Sequence, residues 1–268
     1  MAITTLDGVI AGLRPPEDVF YGTVTPKAGG LWHSLLYTAG RPGAGSAPTP
    51  GINGAALTSY TGQIPFTNPS AGLNSYLARL EMAGTVAGKV LLYDRLWHNS
   101  GLVVTTTTAQ SITPVAIPAR DRDGTTDGEG VTAWIEVSTA TTNAGQIGNC
   151  TCSYTNSAGT AGRTGTLQTF PATAVAGSIV PFNLQAGDTG VRSVQSVTLG
   201  TSMVTGKIHL VLMRPLSSVS WIANMGAALD VVQLGMIRLY DNTVPMMAWL
   251  PSQVTAINLF GQMVVAQG

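Results

Sequence analysis

From about residue 75 onward, short apolar runs alternate with polar positions and are broken by clusters of Gly, Asn, Asp and Pro at near-regular intervals. The runs are 76–82, 89–97, 102–108, 131–139, 149–155, 164–170, 178–184, 191–199, 207–213, 244–250 and 257–266. Period-two alternation and β-branched residues mark strands, and this spacing of turns marks an all-β sandwich or barrel. We therefore expect an antiparallel β-sandwich, jelly-roll-like, over residues 71–268, with very little helix. Residues 217–235 are ambiguous, and 225–234 are read as a short helix in a crossover. No repeat of fixed period is present.

The first 70 residues follow another pattern. Leu6, Val9, Ile10 and Leu13 recur at helical spacing after Thr4 and Thr5, and Pro15-Pro16 stops the run. This predicts a short amphipathic helix, weakened by Gly8 and Gly12. Residues 14–70 carry eight prolines, and 39–51 cannot form a helix or a central strand. The same segment holds Phe20, Tyr21, Trp32, Leu35, Leu36, Tyr37, Leu57, Tyr60 and Ile64, too many large apolar groups for a free linker. It reads as an extended Pro/Gly-rich N-terminal arm, residues 1–70, that packs on its own β domain or on a neighbouring subunit. Trp32 and Tyr37 are the expected interface residues.

Composition sharpens this picture. Only 10% of the 268 residues are charged, the formal net charge is zero, and there are 32 Gly and 15 Pro. Ordinary soluble domains carry about a quarter charged residues. Such a chain reads as an assembly component, covered by copies of itself or by partners. Neutral charge offers no electrostatic footprint for nucleic acid. The longest apolar run, 244–250, is far too short to cross a bilayer. No secretory signal is expected, so the protein is expected to be made in a reducing cytoplasm. Cys150 and Cys152 are two residues apart and read as small buried apolar groups rather than a disulfide or zinc pair.

Candidate chemistry is sparse. In residues 121–130, Asp121, Asp123, Asp127 and Glu129 alternate with glycines and form a candidate calcium set. The loop departs from an EF-hand, with Thr126 at the sixth position and Thr132 at the twelfth, and the alternative is a solvated turn. His33, His98 and His209 would form a metal site only by converging with a carboxylate; the other reading is local hydrogen bonding beside Trp32 and Trp97. No nucleophile elbow, P-loop or dinucleotide fingerprint occurs. No catalytic residue and no cofactor is expected.

Several blocks carry a resemblance. They are Asp94-Arg95-Leu96-Trp97-His98-Asn99-Ser100-Gly101, residues 153–165 (SYTNSAGTAGRTG), residues 184–196 (LQAGDTGVRSVQS), residues 238–245 (RLYDNTVP) and the opening residues 1–8 (MAITTLDG). Together the chain resembles a family of tailed-bacteriophage virion structural proteins. The resemblance implies a non-enzymatic particle component with no catalytic residues to carry over. Among particle roles, the compact β domain with an arm fits a capsid decoration, or cement, protein. That role implies the major capsid protein as partner, a homo-oligomer expected as a trimer, no nucleic acid or membrane, and a place on the outer capsid surface of the virion. The alternative is a tail or baseplate protein that contacts a host receptor or glycan.

Overall fold

The computed structural model describes residues 3–25 and 27–268. Met1 and Ala2 of the opening block and Pro26 of the arm lie outside the described residues. The chain is 42% strand and 4% helix, arranged as two antiparallel sheets in a jelly-roll-like sandwich. The arm supplies α1 (Leu6–Gly12), β1 (Glu17–Val24), β2 (His33–Ser34) and β3 (Ala55–Ala56). Then follow β4 (Ser75–Gly84), β5 (Gly88–His98), β6 (Ala109–Ser111), β7 (Thr132–Thr139), β8 (Thr151–Asn156) and β9 (Arg163–Leu167). The last part holds β10 (Ile179–Asn183), β11 (Val191–Thr198), β12 (Lys207–Trp221), β13 (Ala227–Leu229), α2 (Val231–Leu234), β14 (Arg238–Leu239), β15 (Pro245–Pro251) and β16 (Ile257–Gln267).

The small sheet runs β1-β16-β4-β13, with β14 also on β4; the large one runs β2-β15-β5-β12-β7-β10-β9-β8-β11-β6, with β3 on β5. Three apolar layers result. Val19, Leu77, Leu80, Val90, Leu92, Trp249 and Met263 fill the space between the two sheets. Ile135, Val137, Tyr154, Phe182, Val197 and Leu210 fill the inside of the large sheet where it curls on itself. Tyr93, Trp134, Val211, Met213 and Met246 line a third layer, which the arm covers with Leu36, Leu57, Trp32, Tyr37 and Tyr60. Of the two packing partners expected for the arm, its own β domain takes these side chains.

Three expectations for single elements change. Residues 102–108 form no strand: Thr106 N–H closes a turn on the Val103 carbonyl, and the Gln110 side chain bonds both the N–H and the C=O of Val103 (2.7 and 3.0 Å). A side chain thus occupies the backbone groups that a ladder would use. β1, which the dense prolines had hidden, is a full strand paired with β16, Val19 and Tyr21 turned inward and Asp18 and Phe20 outward. The short helix expected within 225–234 is only the single turn of α2, closed by an Asp230–Gln233 capping box.

Candidate functional site

Chemistry-bearing residues converge on the arm-covered face of β5, β7 and β12. Leu96 is a bulge: Met213 pairs with Arg95 but Leu212 with Trp97, so one extra residue enters β5. The bulge returns His98 to the face of Arg95. There Arg95 Nη1 and Nη2 donate to Glu136 Oε1 and Oε2 at 3.0 and 2.7 Å, and Arg95 Nε donates to His98 Nδ1 at 3.1 Å. Both charged side chains are wholly buried. From the arm, the Tyr37 hydroxyl donates to Glu136 Oε2 (3.1 Å). The Tyr60 ring packs edge-on against His98 and lies under the Arg95 guanidinium. Trp32 meets Trp134 edge to face at 6.4 Å. Trp32 and Tyr37, the expected interface residues, are half-buried on the chain's own sheet, and Tyr37 helps to seal the ion pair.

The rest of the 94–101 block ties the arm down in the same way. Asp94 accepts Arg120 Nε and Nη2 and the Val244 N–H (2.8–3.1 Å), while Arg120 Nη1 reaches the Leu57 carbonyl at 2.8 Å. The Asn99 side chain donates to the Ile52 carbonyl and accepts Leu210 N–H (3.0 and 2.7 Å). Ser100 Oγ accepts Gly51 N–H. Gly54, at φ +70°, lies so close that a Cβ there would stand 2.2 Å from the Trp97 ring. Only glycine allows the arm to pass over Trp97.

Electrostatics follow from burial. Burial acts to raise the Glu136 pKa, but the Arg95 charge and hydrogen bonds overcome it and hold the carboxyl below its ordinary value. His98 is pushed down to about 3 by burial and the Arg95 charge. His209 Nδ1 donates to the Asn99 carbonyl (2.9 Å); its pKa is lowered, chiefly by burial, and in the neutral ring Nε2 accepts the Ser138 hydroxyl (2.7 Å). His33 stands apart, bonded to the Ala28 carbonyl, and burial lowers it to about 4. Burial also pushes the Cys150 and Cys152 thiols up to about 12, so both remain protonated and unreactive. Among the described residues no three His, Cys, Asp or Glu side chains cluster to hold a metal ion.

The acidic loop is organised by one of its carboxylates. Asp121 is buried and accepts five donors: Asp123, Thr125, Gly128 and Glu129 N–H and the Thr125 hydroxyl, at 2.7–3.1 Å. Burial alone would raise its pKa, but these bonds outweigh it and lower it. The other three carboxylates separate: Asp127 faces Arg192, Glu129 faces Arg122 and Thr189, and Asp123 lies beside Arg122 in solvent. The four candidate calcium ligands are not brought together, and Asp121 already has its donors.

The other resembling blocks are joints too. Asp188 is held near 2 by Arg163, Tyr154 and Asn156, which joins the 157–162 hairpin to the 184–190 turn. Tyr240 packs against the guanidiniums of Arg214 and Arg238, and its hydroxyl donates to the Arg122 carbonyl. Sequence reasoning missed Arg95, Glu136, Asp94 and Arg120 as a set. The partners lie 26 and 41 positions apart, and no spacing rule links them. What this arrangement does chemically is fix strands and arm; its charges face one another and not solvent.

No family model matches the chain, and no curated protein matches it. Among solved structures, a chain of infectious bursal disease virus, Gx strain, aligns at 11% identity and TM-score 0.18 over 76% of this chain. This chain spans 45% of that one. The VP2 subviral particle of infectious bursal disease virus aligns at 11% identity and TM-score 0.18, covering 95% of this chain and 80% of the other. Likeness at that TM-score assigns no role.

Proposed function

We propose that this chain is a non-enzymatic structural component of a tailed-bacteriophage particle. In this reading it binds the outside of the capsid shell as an oligomeric decoration protein, with the major capsid protein as partner and a trimer as its oligomer. The observation that carries the reading is where the charge sits. Six of the 26 charged residues, Asp94, Arg95, Arg120, Asp121, Glu136 and Arg214, are buried as internal ties in a chain already poor in charge. The polar residues of the resembling blocks hold loops and arm in place. A rigid, charge-poor shape is suited to permanent contact and not to turnover, and the sequence resemblance supplies the particle. The cement role itself is an analogy at the level of fold and family.

The proposal is tested on purified particles washed with rising salt and then with mild denaturant. A chain with 10% charged residues and no net charge leaves little for salt to screen at an apolar contact, so the protein should stay bound in high salt and leave in denaturant, and the stripped heads should be less stable. Release at moderate salt would contradict an adhesive apolar contact. Recovery of the protein in isolated tails only, with head stability unchanged, would replace this reading with the tail or baseplate one.

A further inference from the structure

We infer that the exposed face of α1 is a contact between two copies of this chain, packed across a twofold axis with the two helices antiparallel. The inference does not rest on the particle role. α1 is capped by Thr5, whose side chain accepts Gly8 N–H. Its inward side is narrow: only Val9 and Gly12 are buried, and a Cβ on Gly12 would stand 2.5 Å from the Gln267 carbonyl oxygen. The large apolar residues point the other way. Leu6, Ile10 and Leu13 form one stripe at i, i+4, i+7 and are 62%, 59% and 46% exposed. Beside this ridge runs an apolar groove between α1 and α2, lined by Leu6, Val9, Val231, Val232 and Met236, with Val232 80% exposed.

A ridge next to a groove of the same character is self-complementary, the geometry that a twofold contact requires. Leu6, Ile10, Leu13 and Val232 together leave on the order of 400 Å² of apolar surface in water, close to the non-polar share of the ~800 Å² that one partner of a standard interface buries. Charge selects a second copy as the occupant. Asp7 lies in the first turn of α1 and Arg14 just beyond its end, and neither has an ion-pair partner among the described residues. Arg14 Nε bonds the Gln267 side chain. Antiparallel pairing sets Asp7 of each copy against Arg14 of the other; parallel pairing sets like against like.

The test is sedimentation equilibrium of the full chain over a concentration series. Wild type should associate. Ile10→Glu, at a side chain that lies in solvent in the single chain, should weaken association more than about tenfold, as loss of a central apolar anchor does. If the chain is also oligomeric through another surface, Ile10→Glu should halve the mass. Asp7→Arg and Arg14→Asp should each weaken association, and the two together should restore it. Thermal melting checks the fold of each variant, with Ile10→Ser in place of any Ile10→Glu protein that melts early. A wild type monomeric throughout, association unchanged by the Ile10 variants, or a double swap no better than the single ones would each overturn the inference.

Discussion

Arg95 and Glu136 are the residues on which the arm depends. A buried carboxylate stripped of its guanidinium keeps its desolvation cost and loses its partner, which typically costs ~3–5 kcal/mol. Arg95→Met should therefore destabilise the protein by about that much in urea unfolding, and adding Glu136→Leu should recover most of the loss. A single variant as stable as wild type would show that the pair is not coupled as its geometry indicates. The imidazoles give a second residue-scale expectation. Unfolded histidines titrate near 6.5, whereas folded His98 and His33 titrate at about 3 and 4. Below about pH 6.5 the unfolded chain takes up protons that the folded one refuses. Each imidazole then removes ~1.4 kcal/mol of stability per pH unit until its folded pKa is reached. Urea midpoints should fall steadily from neutral pH toward pH 4.5, and His98→Gln should flatten the slope. A flat profile in the wild type would contradict neutral burial. At Asp121, whose oxygens already take five donors, added calcium should leave the melting temperature unchanged; a calcium-dependent rise would restore the four-carboxylate reading.

At the scale of elements, apolar runs between turn clusters were the dependable signal. β4, β5, β7, β8, β11, β15 and β16 lie where those runs placed them; β8 alternates because one face lies on a core, whereas β5, β7 and β15 are buried on both faces. The failures have local causes. Residues 102–108 have the composition of a strand, but Gln110 takes the backbone groups of Val103. β1 was not legible as alternation, because Phe20 is apolar yet faces outward between inward Val19 and Tyr21, and prolines on both sides masked the strand. The arm's apolar residues announced burial without an address, since period and composition do not say which surface they cover. The site was legible only as a resembling block: Asp94 to Gly101 stood out, whereas Glu136 and Arg120 come from distant elements brought together by the sheet order. Removing residues 1–70 would take β1 from the small sheet, Leu35 and Ile64 from the layer between the sheets, and the cover from Arg95 and Glu136. The fragment 71–268 should be insoluble or molten, which amide dispersion in an NMR spectrum would show. A well-folded fragment would mean that the arm is a detachable strap.

For the whole molecule, one arrangement recurs: six of the 26 charged residues and the three imidazoles are turned inward as ties, while helix α1 and the cross-strand pair Phe20–Phe260 present apolar groups outward. A surface of that kind is kept in solution by being covered. In the reading proposed above, the shell covers the Phe20–Phe260 pair and the twofold contact covers α1. The measurement that bears most directly on the central claim is the copy number of this chain in purified particles, by quantitative mass spectrometry on heads and tails separated from each other. The account predicts copies in fixed proportion to the shell subunits and confined to the head fraction. A handful of copies in the tail fraction, or none in the particle, would contradict it.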